Sequence, residues 1–261
     1  MITHCLKVAF RNLVKYKTQT LISIIGLSVG FTCFALSVLW IRYEMTYDNF
    51  HEGADRIYLV RAHYANEPGT SKFTPYPLMK YLQDKMPEIE AVTAFTAHYV
   101  KFRMEDTEQE IGMIAADSVF MNFFDIQLLK GTVNFLKCDG QEVAITKEFA
   151  KRLFSKEEDA LGKEVEVGRR VCKIGAIVSG WSNHSNIPYN ILAPARHSPQ
   201  WGSSNEQLLI RVRERTDIDA FRTKMSTVCI NDIEKESELS DLLITRMSAL
   251  RYSDYVDKAD V

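Results

Sequence analysis

The chain has 261 residues, 46% of them hydrophobic and 25% charged, which excludes bulk disorder, collagen-like repeats and a small disulfide scaffold. A near balance of 32 basic against 34 acidic residues, net −2, argues against a nucleic-acid partner, which requires a basic surface against phosphates. The average hides a polar split: residues 1–20 carry Lys7, Arg11, Lys15 and Lys17 with no acid, and the remainder is correspondingly acidic.

In residues 1–20, Leu6, Phe10, Leu13 and Val14 alternate with those cations at helical spacing. This predicts an amphipathic helix on the inner membrane surface, or more simply a basic flank that sets orientation. Residues 21–41 (LISIIGLSVGFTCFALSVLWI) carry no charge, and as a helix they reach about 31 Å, close to the hydrocarbon thickness of a bilayer. Core helices of soluble proteins seldom stay uncharged for so long, so a transmembrane helix is expected. Ala35-Leu36-Ser37 resembles a signal-peptidase site, but the apolar run continues through Ile41, which favours an uncleaved anchor. Only Arg42 is basic between residues 42 and 55, so the positive-inside rule puts the N-terminus in the cytoplasm and residues 42–261 outside.

Within the span, Ser23, Gly26, Gly30, Cys33 and Ser37 fall on one helix face. Gly26-x-x-x-Gly30 is the spacing that lets membrane helices approach closely, which implies partner helices, although Gly is also simply common in such spans. Gly26-Leu27-Ser28-Val29-Gly30 spells a hydrolase nucleophile elbow, but an apolar span supplies no strand, sharp turn or polar cleft for one.

Residues 42–261 read as a mixed α/β domain. Residues 56–64 predict a strand, and Thr74-Pro75-Tyr76-Pro77 opens a helix carrying Leu78, Tyr81 and Leu82 on one face, ended by Pro87. Residues 91–96, 99–104 and 110–115 read as three strands with a turn at 105–106, and Asp117 caps a short helix bearing Phe120, Phe123 and Phe124. Residues 142–145 form a strand, Thr146 caps a helix running to Phe154, and 164–178 is a hairpin turned near Gly168. A strand at 207–212 and a helix at 217–233, with Ile218, Phe221, Met225 and Val228 inward, precede a polar tail.

Catalytic and metal motifs are absent. No H-E-x-x-H, C-x-x-C or phosphate-binding G-x-x-x-x-G-K-[ST] occurs, and the nearest phrase, Ala160-Leu161-Gly162-Lys163, is followed by Glu164. Cys138, Cys172 and Cys229 are too far apart for a metal knuckle and allow at most one disulfide among themselves; small buried thiols are the simpler expectation. Ser182-Asn183-His184-Ser185-Asn186 gathers a hydroxyl and an imidazole, as a hydrolase would, but five polar residues between Trp181 and Ile187 read first as a loop.

Several distinct phrases follow one another along the chain. They are Ala9 to Leu13 (AFRNL), Ile25 to Gly30 (IGLSVG), Glu44 to His51 (EMTYDNFH) and Ala54 to Tyr58 (ADRIY). Asp117 to Gly131, Val143 to Thr146, Ala150 to Phe154 and Ala160 to Lys163 continue the series. Together they resemble the permease subunits of MacB/FtsX-type ABC transporters, specifically the first membrane helix and the large periplasmic core. The resemblance implies an α+β architecture: a cytoplasmic elbow helix at 1–20, a transmembrane helix at 21–41 and an extracytoplasmic core at 42–261. It implies a location in the inner membrane and no active site or cofactor in this chain. Its expected partners are a separate ABC ATPase, further permease helices or a second permease copy, the bilayer, and an envelope or outer-membrane protein.

By that resemblance Lys7, Phe10, Arg11, Asn12 and Lys15 lie at the inner leaflet near the ATPase. Glu44, Tyr47, Asp48 and His51 lie at the helix-to-domain junction, as a rigid coupling element or as a purely structural polar cluster. Family permeases carry three more membrane helices after the core, so this sequence is expected to be a fragment or a truncated reading frame. An autonomous membrane-anchored sensor or adaptor is the alternative, and a hydrolase built on His184 a weaker one.

Overall fold

A computed structural model describes residues 7, 11, 13–65, 68–104, 107–137, 141–154, 156–181, 184–232 (backbone only for 228–232) and 238–250. Phe10, Asn12, Cys138, Ser182, the turn at 105–106 and the side chains of Val228 and Cys229 lie outside the described residues. The chain divides into two units, residues 1–47 and 48–261.

In the first unit Leu13, Val14 and Lys15 are helical, Tyr16 forms a turn, and α1 runs from Lys17 to Glu44. Its 28 residues reach about 42 Å, extending the span expected from sequence (21–41) at both ends, to Lys17 and to Glu44, and it is long and apolar enough to cross a membrane. The hydroxyls of Thr32 and Ser37 donate back to the carbonyls of Ser28 and Cys33, each at 2.8 Å. Polar side chains in an apolar helix are satisfied within the helix in this way, without a partner from solvent. Near its end Trp40, Tyr43 and Tyr47 follow one another, the first pair tilted and the second edge-on, with ring centroids 6.2 and 5.9 Å apart.

The second unit is built on one sheet of 12 strands. Its elements in order are β1 Ile57–Tyr64, β2 Thr70–Ser71, β3 Thr74–Pro75, α2 Pro77–Lys85, β4 Ile89–Met104, β5 Thr107–Ala116, α3 Ser118–Phe123, β6 Leu128–Gly131 and β7 Glu142–Thr146. There follow α4 Lys147–Leu153, β8 Glu164–Val167, β9 Arg170–Val178, β10 Ile191–Pro194, β11 Ser204–Val212, α5 Ile218–Asp232 and β12 Leu239–Arg246. The main path runs β12-β1-β11-β4-β5-β10-β7-β9-β6.

Both faces of the sheet are covered, which explains why β1 reads as a continuous apolar run and not an alternating one. Ile57 and Leu59 join one cluster with Phe95, Phe120 and Phe135, while Tyr58, Val60 and Ala62 join another under α2 and α5, with Leu78, Leu82, Phe221 and Met225. A third cluster seats α4, through Phe149 and Ala150, on Ile145, Ile174 and Ile191. Each such side chain taken fully out of water contributes about 1.5–3 kcal/mol.

Local signals position the elements. Asp117 caps α3, accepting from the Val119 and Phe120 amides at 2.9 and 3.1 Å, and Thr146 caps α4 by accepting from Phe149. Gly168, at φ 65°, turns the β8–β9 hairpin in the left-handed region where a residue without Cβ is at ease.

Three expectations are corrected. Residues 91–96 and 99–104 are not two strands: β4 is continuous, because Ala97 and His98 keep their pairing with Ile114 and Met113 of β5. The polar tail contains a strand, β12, paired with β1; burial alternates from Leu242 to Ile244, but the exposed position is also apolar, Leu243, so the sequence does not display the alternation. The short central strand β10, between β5 and β7, and the edge strand β6 carry no periodic signal of their own and were not anticipated.

Candidate functional site

The second unit begins at Asp48, in the left-handed conformation at φ 58°, a region that Asp enters more readily than most residues. Its carboxylate is fully buried. The Ser185 hydroxyl donates to Oδ1 at 2.5 Å, and the Asn186 side-chain amide and backbone N–H donate to Oδ2 at 2.6 and 3.1 Å. The Asp48 backbone N–H in turn donates to the His184 carbonyl at 3.3 Å. Asn186 Nδ2 also donates to the Met247 carbonyl at 3.1 Å, so one carboxylate ties together residues 48, 184–187 and the turn after β12.

Burial pushes the Asp48 carboxyl above its ordinary range, against the lowering effect of its donors and of nearby His184. Removing a carboxylate held this way strands Ser185 and Asn186 donors, each costing about 1–3 kcal/mol if left buried and unpaired.

Three residues on, the His51 ring lies against Phe50, Phe124 and Trp181, with centroids 4.3, 4.7 and 4.9 Å away. Its Nε2 is buried with no hydrogen-bond partner among the described residues. Burial pushes the imidazole down to about 4, and the charge of Arg211 acts in the same direction, so His51 is neutral at pH 7. Trp181 closes the far side: its indole N–H donates to the Ile187 carbonyl at 2.9 Å and its ring meets Tyr189 at 4.6 Å. Segment 48–51 is thereby gripped by the loop that follows Trp181.

Of the junction residues expected from sequence, Asp48 and His51 are brought together in this cluster. Glu44 is the last residue of α1, and Tyr47 packs edge-on to Tyr43 in the first unit. Ser23, Gly26, Gly30, Cys33 and Ser37 all lie exposed on α1, and a Cβ added at Gly26 or Gly30 meets nothing within 4 Å among the described residues. Lys7, Arg11 and Lys15 are helical, with the Lys15 ammonium 5.5 Å from the Tyr16 ring centroid.

Ser185, Asn186, Phe124, Trp181 and Met247 were not anticipated as parts of this site. The polar run at 182–186 does belong to a loop, but the Ser185 hydroxyl is committed to Asp48 and is not presented to His184 as a nucleophile. Among the described residues no three His, Cys, Asp or Glu side chains are grouped to hold a metal.

Residues 20–228 match a family profile described as the MacB-like periplasmic core domain. No curated protein matches the chain. Among solved structures, a domain of a permease protein from Porphyromonas gingivalis is similar at TM-score 0.59 and 20% identity, covering 75% of this chain and 92% of that one. The extracellular domain of the noncanonic ABC-type transporter YknZ from Gram-positive bacteria is similar at TM-score 0.53 and 14% identity, covering 72% and 99%. The periplasmic region of MacB from Actinobacillus actinomycetemcomitans is similar at TM-score 0.52 and 12% identity, covering 77% and 94%. At these identities the likeness is one of fold.

Proposed function

Since the chain belongs to the family of MacB-like periplasmic core domains, and so is a component of the ABC permease type, we propose that it is a mechanical coupling part. In this reading ATP is hydrolysed by a separate subunit. The resulting motion reaches α1 and passes into the outer domain, which acts on a substrate or an envelope partner.

The observation that carries the reading is the Asp48 cluster. The first residue of the outer unit is held by buried, charge-assisted hydrogen bonds to Ser185 and Asn186, and Asn186 in turn donates to the Met247 carbonyl, so in this reading a displacement of residue 48 passes to residues 184–187 and through Asn186 to the turn after β12, and is not absorbed in a slack linker. Lys7, Phe10, Arg11, Asn12 and Lys15 face the ATPase in this scheme. Gly26 and Gly30 face further permease helices or a second permease copy. The N-terminus is cytoplasmic and residues 42–261 are outside the inner membrane.

Topology is tested first. In intact cells, Cys at position 72 in Lys72→Cys is expected to react with a membrane-impermeant maleimide, while Lys7→Cys reacts only after lysis. Coupling is tested on the full chain co-purified with its ATPase, using a fluorophore on the Lys72→Cys variant. ATP is expected to change its emission, and Asp48→Ala to abolish that change while the ATPase stays bound. Failure of any ATPase to co-purify, or an undiminished ATP response in Asp48→Ala, overturns the proposal.

A further inference from the structure

The described residues include a polar cleft of about 540 Å³, within the range of small-ligand sites, between residues 52–58, the β11–α5 connection and the end of β12. Four arginines line it, Arg56, Arg213, Arg215 and Arg246, against three acids, Glu52, Asp55 and Glu214.

Two of the arginines are already engaged. Arg56 pairs with Glu90 at 2.6 Å and stands 3.9 Å from Glu214, and Arg213 donates through Nε to the Pro87 carbonyl at 2.9 Å. The side chains of Arg215 and Arg246 enter no ion pair or hydrogen bond among the described residues; the Arg246 guanidinium rests 5.9 Å from the Tyr58 ring centroid. Two exposed guanidiniums on one cleft, neither neutralised, present the forked donors that match a phosphate. Glu52 and Asp55 on the same cleft repel a polyanion such as a nucleoside triphosphate and attract an ammonium.

We propose that this cleft binds a zwitterionic phosphate ester of the phosphoethanolamine kind, with the phosphate on Arg215 and Arg246 and the ammonium toward Glu52 and Asp55. The chemistry is that of a lipid headgroup or of the free solute. The comparison of the lipid with the free solute separates the two sources. Arg246 immediately precedes Met247, whose carbonyl accepts from Asn186, so an occupant would bear on the residues that clamp Asp48. The site stands without the coupling proposal and fails separately from it.

The test uses the full chain in maltoside micelles, which contain no phosphate. Phosphorus NMR linewidths are followed for dihexanoyl phosphatidylethanolamine, dihexanoyl phosphatidylglycerol, phosphoethanolamine and inorganic phosphate. Saturable broadening is expected for the ethanolamine compounds, with affinity falling at least about tenfold in the double variant Arg215→Asn, Arg246→Gln through loss of charge-assisted hydrogen bonds. Asn is chosen because it tolerates the left-handed backbone of residue 215, at φ 64°, and an unchanged melting temperature would exclude misfolding. Tighter binding of the lipid than of free phosphoethanolamine supports the headgroup, and equal binding supports the site with a soluble ligand. No saturable binding, an unaffected double variant, or equal affinity for phosphatidylglycerol and inorganic phosphate overturns the proposal.

Discussion

Asp48 and Asn186 stand 138 residues apart in sequence, yet two donors of Asn186 converge on one oxygen of the Asp48 carboxylate, at 2.6 and 3.1 Å. A buried carboxylate with several fixed donors is costly to dismantle from either side, because whichever partner remains keeps its desolvation penalty without its bond. Asp48→Ala is therefore expected to destabilise the outer domain by about 3 kcal/mol, and Asn186→Ala by about 2 kcal/mol. The double variant should cost less than the sum, with a coupling of about 1–2 kcal/mol, measured by denaturant unfolding of the full chain in detergent. Strict additivity would show that the bonds contribute nothing as a pair.

The His51 imidazole is lowered from 6.5 to about 4, so over that interval the unfolded chain takes up a proton that the folded chain refuses. The stability tied to this group is complete above pH 6.5 and is lost as pH falls toward 4, approaching ~3 kcal/mol at about 1.4 kcal/mol per pH unit. His51→Phe keeps a ring against Phe124 and Trp181 and removes the titration, so the loss of stability between pH 7 and pH 4.5 should shrink in the variant. Asp48 acts in the opposite sense in both proteins: its raised carboxyl favours the folded state at low pH and gives that stability up as pH rises, so it drops out of the difference. Equal pH profiles for the two proteins would contradict the buried, neutral imidazole.

The features legible from sequence are those whose cause is local. Asp117 and Thr146 cap helices within three residues of themselves, Gly168 turns a hairpin of adjacent strands, and α1 is announced by the charges it lacks. The features that were missed have causes elsewhere in the chain. Ala97 and His98 look like a break in an apolar pattern and stay extended only because β5 pairs with them. Residues 239–246 are a strand through their pairing with β1, and the exposed Leu243 between buried Leu242 and Ile244 hides the alternation in the sequence. The site divides along the same line: Asp48 and His51 follow the membrane helix and were singled out, whereas nothing near Ser185 or Asn186 signals a carboxylate about 140 residues earlier.

Gly112 reports on the wall of the same loop. It lies in β5 opposite Tyr99, its carbonyl accepts from the Asn190 amide at 2.8 Å, and a Cβ built on it would stand 2.5 Å from the Pro188 carbonyl oxygen. That neighbour is backbone and cannot rotate away, so Gly112→Ala must displace residues 188–190 next to the segment that holds Asp48. A destabilisation of about 1–3 kcal/mol is expected, as for other overpacked sites. Hydrogen exchange should show the Asn186 and Ile187 amides losing protection; an unaltered melting temperature and exchange pattern would mean that the loop yields without cost.

Gly26 and Gly30 present the opposite case, since a Cβ at either position has nothing within 4 Å among the described residues. Gly26→Leu and Gly30→Leu are substitutions on an exposed helix surface, and the melting transition of the second unit should stay within about 0.5 kcal/mol of the parent. What bulky side chains do change is the distance at which a second membrane helix can lie, because close backbone approach at small-x-x-x-small positions is what makes such helices adhere. Energy transfer between donor- and acceptor-labelled full chains in lipid vesicles is therefore expected to fall in the double variant. The exposed Leu27 and Val29 serve as controls, and their replacement by Ala should leave the transfer unchanged. Undiminished transfer in the Leu variants would remove Gly26 and Gly30 from the helix-packing face and leave them as ordinary residues of an apolar span.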